Sequence, residues 1–322
     1  MRSNIAVNTP APTERTPVLI LGAGAIGCLW SRALQQNNVR YDVIVKPAYA
    51  RSDNTARIHF RSLIDPTLTL DYTLSAIVAN SAQSAYNFVF VTTKANDALA
   101  ALASIQHLID PKTSIVLFQN GMGIQQSICE QYPNNDIACA VTTEGAFCTE
   151  PFHVVHSGKG VTQFGLIQTP MRQGLGSLLE LLNDSYMSHC ETDNIMERLW
   201  RKLCINAAIN AYTVIYNCKN GELLQHADAM QRIAQCCDEL TQLTAALKFE
   251  AFDALKAVYT VLENTYENHS SMHQDVNKQR LTEIEFINGY VVRLAQKHTL
   301  ACLENKAAYD AIKAIEAQFD SA

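Results

Sequence analysis

The stretch TPVLILGAGAIGC constrains this chain more than any other. A short apolar run, Val18 to Leu21, passes into Gly22, Gly24 and Gly27, and the residues beyond fall into a helical pattern. This is the GxGxxG spacing in the context that gives it meaning, a buried strand before it and a helix after it. Glycines allow a tight turn and a close approach of backbone to a pyrophosphate, whose charge the positive end of the helix then favours. The turn formed by Leu21, Gly22, Ala23, Gly24, Ala25, Ile26 and Gly27 is therefore read as a dinucleotide-binding loop.

The next apolar run, YDVIV, reaches Val45 and is followed by Lys46. NAD-binding strands place an acidic residue at this carboxyl end, against the ribose hydroxyls. Counting about 20 residues from the first glycine reaches Asp42 instead, near the start of the strand, and an acid there favours NAD. Position on the strand outweighs the count, because the ribose contact comes from the strand end. A lysine there attracts a 2′-phosphate, so Lys46 points to NADP(H), with Arg51 a weaker second candidate.

Further strands are expected at NFVFVTTKAND, SIVLFQNGMG and DIACAVTTEGA, separated by helical segments. Such alternation predicts a parallel, doubly wound sheet with right-handed crossovers. Lys94, Asn120 and Ala146 each fall just past a strand's carboxyl end, on the rim where open α/β sheets bind ligands. FHVVHSGKGVTQFGLI reads as a hairpin with glycines at its turn. His153 and His156 lack a third ligand at suitable spacing, so no metal site is expected.

From about Asp193 the chain turns helical, and the boundary falls near residues 188 to 192. The expected organisation is a disordered tail over 1–16, an NADP-binding Rossmann-type domain over 17–190, and an all-helical substrate domain over 191–322. Length agrees, since 322 residues exceed the roughly 100 to 200 that one core organises. A helical domain closing over the cofactor crevice excludes water from hydride transfer.

Within the helical half, WRKLCINAAINAY is apolar enough to be buried, yet carries Lys202, Asn206 and Asn210 at intervals of four. Such positions drift by only about 80° around a helix, so the three share one face. SSMHQDVNKQRLTEIEFINGY adds Ser271, Asp275 and Glu283; its plainest reading is a polar helix capped by Ser270 or Ser271.

Charge and cysteine usage narrow the partners. A formal net charge of -6, with no lysine- and arginine-rich block, argues against nucleic acid and anionic membrane and leaves a small molecule as ligand. The ten cysteines show no CxxC spacing, which reads as reduced thiols in a cytoplasmic protein. The first 16 residues hold two prolines and no apolar core of a targeting signal. No run approaches the roughly 20 apolar residues of a membrane span.

Taken in order, GAGAIG, TTKAND, QNGMG, TTEGA, HSGKGVTQFG, WRKLCINAAINAYTVIYNCKNGEL and SSMHQDVNKQRLTEIEFINGY resemble the ketopantoate reductase (2-dehydropantoate 2-reductase) family, over about Val18 to Tyr290. The lysine-asparagine helix and the TEIEFING segment carry the likeness most specifically. The resemblance implies NADPH-dependent reduction of 2-dehydropantoate to (R)-pantoate in pantothenate and coenzyme A biosynthesis. It implies Lys202 as general acid and Glu283 as the glutamate assisting at the active site and meeting the cofactor. Asn206, Asn210, Asn220 and Ser271 correspond to residues holding substrate, with Asn120 between cofactor and substrate. Lys94 is implied near the cofactor, and Ala146 as backbone beside the nicotinamide. The alternatives are a related reductase acting on another 2-keto acid and a non-catalytic NADP-sensing protein; the expected assembly is a monomer or a homodimer.

Overall fold

A run that is apolar at every position makes a stable strand only where both faces of the sheet are covered. Val18, Leu19, Ile20 and Leu21 are all buried, as are all four residues of SIVL and all six of IACAVT. The computed structural model describes residues 16–82, 85–171, 174–183 and 185–319. The tail expected over 1–16 lies outside them, apart from residue 16.

The strands, numbered along the chain, are β1 (Thr16–Leu21), β2 (Tyr41–Ile44), β3 (Thr55–Ser62), β4 (Thr69–Ile77), β5 (Tyr86–Val91), β6 (Ser114–Leu117), β7 (Ile137–Thr142), β8 (Gly145–Glu150), β9 (His153–Gly158), β10 (Val161–Gln168) and β11 (Ser188–Glu191). The helices are α1 (Ala25–Gln36), α2 (Ala95–Ser104), α3 (Ile124–Gln131), α4 (Gly176–Leu182), α5 (Ile195–Ile215), α6 (Ala227–Ala246), α7 (Ala254–Asn264), α8 (Ser271–Asn277), α9 (Asn288–Lys297) and α10 (Leu303–Glu316).

The sheet runs β11-β10-β7-β6-β5-β1-β2-β4-β3-β9-β8. Its centre, β7-β6-β5-β1-β2, is parallel throughout, the doubly wound arrangement expected. From β1 the chain steps to β2 on one side and to β5 on the other, so the strand order reverses there. That reversal opens a crevice at the strands' carboxyl ends.

Two features depart from the sequence reading. Residues 51–85 carry an unforeseen hairpin, β3 with β4, whose alternating burial puts one face on the core, and β4 then returns parallel to β2. The hairpin expected over 152–167 does not form. β9 pairs with β3 and β8, whereas β10 pairs with β7 and β11. The reason lies in Thr143, whose N–H donates to the Val161 carbonyl at 3.0 Å and whose hydroxyl accepts from Val161 N–H at 2.9 Å. β10 is thereby committed to the strand from the centre of the sheet. Only Lys159 and Gly160 separate β9 from β10, so the two wings of the ladder come together and the sheet rolls around α1. Trp30 of α1 fills the interior, with its ring 5.6 Å from those of Phe118 and Phe164.

The helices from α5 onward form the second half. α5 is its central member, packed by α6, α7, α8 and α10 and abutting β7 and β10. Its apolar residues explain this, since Leu199, Trp200, Leu203, Cys204, Ala207 and Ala208 are all buried. A helix apolar on most sides must be surrounded. The Trp200 indole N–H is satisfied by Thr244 at 2.9 Å. No helix among the described residues is long and apolar enough to cross a membrane.

Candidate active site

The glycine loop lies at the carboxyl end of β1. Gly22 has φ +113°, a conformation open to glycine at no steric cost. A Cβ on Gly27 would stand 2.0 Å from the Gly22 carbonyl oxygen, so α1 can approach the strand only with glycine there. A Cβ on Gly24 would meet nothing within 4 Å, which leaves space above the start of α1. That helix has neither a side-chain cap nor an acid in its first turn, so its N–H groups are available to an anion. Thr92 holds the turn in place, its hydroxyl donating to the Gly22 carbonyl at 2.7 Å. Within TTKAND, the signal for this role of Thr92 is a hydroxyl directly after a buried strand, a feature not included among the expected site residues.

Lys46 follows β2 by two residues and is exposed. Ile44 lies beside Leu21 in the ladder, so Lys46 emerges next to the glycine turn. Asp42 sits further down the strand opposite Leu19 and accepts from the Tyr86 hydroxyl at 2.8 Å. It is spent inside the sheet.

Across the crevice, Glu283 is buried at the start of α2, the site of greatest advantage for a carboxylate. Its Oε1 accepts from Ala95 N–H at 3.1 Å and its Oε2 from the Asn120 amide at 3.3 Å. Asn96 Nδ2 donates to the Thr282 carbonyl at 2.7 Å, and Met122 N–H to the Phe286 carbonyl at 2.8 Å, so residues 282–286 are stitched onto the rim of the sheet. Behind them, the buried Glu316 accepts from Thr282 N–H and hydroxyl, both at 2.7 Å. Lys94, directly before α2, forms an ion pair with Asp275 of α8. Burial raises the Glu283 carboxyl above its usual range, while Ala95 N–H, Lys94 and Asn120 hold it down. The TEIEFING segment thus carries the carboxylate from the helical half to the α/β half.

Lys202, on α5, lies within the field of this carboxylate. Desolvation pushes its ammonium down to about 8, with Glu283 pulling the other way. Among the described residues it has no hydrogen-bond or ion-pair partner. The Asn206 and Asn210 amides, further along the same helix, are also unengaged by described side chains, and Asn210 is buried. Asn220 is anchored through Nδ2 to the Thr265 hydroxyl at 2.8 Å, while its buried Oδ1 has no partner. At α8 the capping serine is Ser270, which accepts from His273 N–H at 3.0 Å and bonds the Thr213 hydroxyl at 2.7 Å. Ser271 is left exposed on the first turn.

Ala146 differs from expectation. It follows the end of β7 by four residues, but as the second residue of β8, paired with His156, and not in a loop; its side chain packs on the α1 core that also receives Ala23 and Ile26. His156 is tied to the buried Glu144 at 2.7 Å, and His153 lies against His59, the rings tilted by 32° with centroids 4.2 Å apart.

This combination of glycine turn, rim glutamate and lysine-asparagine helix has named relatives. A family profile described as ketopantoate reductase PanE/ApbA matches residues 18–169, and its C-terminal counterpart matches residues 194–316. The 2-dehydropantoate 2-reductase of Vibrio cholerae serotype O1 is 31% identical, over 95% of this chain and 99% of that protein. The chain belongs to the ketopantoate reductase family. Within it, the enzyme of the same description from Archaeoglobus fulgidus is 30% identical, over 93% of this chain and 97% of its own length. The fold is shared with a PanE/ApbA family ketopantoate reductase from Ralstonia eutropha JMP134, at TM-score 0.84 and 21% identity, over 94% of this chain and 99% of that one. It is shared equally with D-mandelate dehydrogenase in a ternary structure with NADH and anilino(oxo)acetate, at TM-score 0.86 and 23% identity, with the same coverage. The family's two-domain architecture, a parallel-rich α/β half and a helical half, is the one described above.

Proposed function

We propose that the protein reduces 2-dehydropantoate to (R)-pantoate with NADPH, with Lys202 giving the proton. The observation that carries this reading is the Lys202 ammonium, desolvated and unpartnered, within the field of Glu283, which is bound at the rim where the glycine loop also ends. The names of the full-length relatives support the substrate. We take residues 17–190 as the cofactor half and 191–322 as the substrate half.

The loop from Leu21 to Gly27 fits a pyrophosphate, because its helix end is uncapped and the space above Gly24 is open. Lys46 stands where a 2′-phosphate would extend, and Lys94, Asn120, Ala146 and Glu283 would border the nicotinamide. When bound, the nicotinamide supplies the hydride. Reduction leaves negative charge on the keto oxygen, which needs a proton donor within hydrogen-bond reach. Lys202, with its proton loosened by burial, matches that need near neutral pH. Asn206, Asn210, Asn220 and Ser271 offer the substrate's carboxylate and hydroxyl directional hydrogen bonds without burying further net charge. Glu283 offsets the charge of the lysine.

A second reading, reduction of a different 2-keto acid with NADH, has one observation in its favour, the fold shared with D-mandelate dehydrogenase. Purified protein offered NADPH or NADH with 2-dehydropantoate, pyruvate and an aryl 2-keto acid is expected to turn over 2-dehydropantoate with NADPH fastest. Faster turnover of either other acid rejects the substrate assignment, and tight NADPH binding without turnover of any acid identifies a sensor. For the cofactor, Lys46→Glu is expected to weaken NADPH binding roughly 10- to 100-fold, the scale of a lost charge-assisted contact, with little change for NADH. Equal losses for both cofactors in a binding titration reject the 2′-phosphate role.

A further inference from the structure

Asp275 lies one helical turn after Ser271 on α8, and Lys278 follows three residues later, so the three share a face. That face is turned toward the cofactor half, since Asp275 pairs with Lys94 and Lys278 Nζ donates to the Cys148 carbonyl at 3.0 Å. The Asp275 side chain is only 13% exposed. A carboxylate that far from water needs a cation, and Lys94 is the one in contact with it.

Lys94 also lies within the field of Glu283, because the residue after it, Ala95, gives its N–H to that carboxylate. The cleft therefore holds two lysines and two carboxylates: Lys94 before α2, Lys202 on α5, Asp275 on α8 and Glu283 ahead of Phe286. Lys278 and Arg280 add positive charge near Asp275. We propose that Asp275 is a positioning residue: by holding the Lys94 ammonium on the α8 side of the cleft, it leaves the Glu283 carboxylate to Lys202. This rests on reading Lys202 as the proton donor.

The physical argument is competition for one buried anion. Lys94 has a flexible four-carbon stem and two carboxylates in its surroundings. With Asp275 neutral, Lys94 turns to Glu283 and cancels the charge that helps Lys202 keep its proton in a desolvated site. Lys202 then deprotonates at lower pH. The Glu283 hydrogen bonds from Ala95 and Asn120 are unaffected by this exchange, so the site keeps its shape.

The test is the pH profile of kcat with saturating NADPH and 2-dehydropantoate. A donor must be protonated to act, so kcat falls as pH rises through about 8, where Lys202 loses its proton. Asp275→Asn is expected to move this basic limb down by about half a pH unit or more, the scale of one partly screened charge pair. Adding Lys94→Met to Asp275→Asn removes the competitor and is expected to return the limb to its original position. Asp275→Glu, which keeps the charge, leaves the limb in place. A limb unmoved by Asp275→Asn, still displaced in the double variant, or displaced in Asp275→Glu overturns the proposal. A purely structural Asp275 lowers thermal stability without this pattern. The donor reading has its own control: Lys202→Arg cannot deprotonate in this range, so a limb that persists unchanged in that variant rejects Lys202 as donor, however Asp275→Asn behaves.

Discussion

Lys202→Ala is expected to lower kcat by about 10²- to 10⁴-fold, the range that positioned general acids contribute, with the dissociation constant for NADPH changed little. The separation of the two effects follows from where Lys202 sits. It belongs to α5 of the helical half, whereas the glycine loop and Lys46 belong to the opposite face of the crevice. Truncation orphans no partner, since no described residue bonds the ammonium. Glu283 loses one favourable charge but retains its hydrogen bonds from Ala95 N–H and the Asn120 amide. The fold therefore survives, and the loss appears in the chemical step. Steady-state kinetics with a fluorescence titration of NADPH checks both halves, and a kcat near that of the unaltered protein rejects the role.

Gly27→Ala is expected to abolish measurable cofactor binding and to destabilise the protein by ~3 kcal/mol or more, the upper range of overpacking. The added methyl would lie 2.0 Å from the Gly22 carbonyl oxygen and 2.7 Å from the Thr92 hydroxyl. A backbone oxygen in a tight turn cannot yield by the ångström or more that is needed, so α1 must separate from β1. Gly24→Ala makes the contrast, because its methyl enters open space. Stability without cofactor is expected to stay within about 0.5 kcal/mol, as for a surface change, while NADPH binding weakens roughly 10-fold or more where the methyl meets the pyrophosphate. Thermal melts with and without NADPH separate the two glycines. Equal melting behaviour of both variants without cofactor overturns the packing argument.

The parts of this protein legible in sequence were those whose cause is local. β1, β5, β6 and β7 announce themselves because a run apolar at every position has one comfortable environment. The glycine loop is legible because backbone conformation and close approach exclude other residues. The stripe of Lys202, Asn206 and Asn210 could be read from helical spacing alone. The β3–β4 hairpin was missed although Ala56, Ile58 and Phe60 alternate with Arg57, His59 and Arg61, because it is an insertion into the strand-helix alternation expected of the parallel sheet. The supposed hairpin at 152–167 carried correct turn chemistry, yet Thr143 claims Val161 for the centre of the sheet, and no local signal reports that competition. The pairing of Ala146 with His156, which draws it into β8, went unread for a related reason.

Sequence by itself determined the doubly wound cofactor half, the helical half, and which residues carry charge along each segment, because these follow from periodicity and backbone chemistry within a few turns or strands. Tertiary structure alone decided which charges meet. Glu283 reaches Ala95 across 188 positions of the chain, and Lys94 finds Asp275 only when α8 is laid against the rim. Desolvation, which loosens the Lys202 proton, is a property of everything packed around α5, and no single segment encodes it.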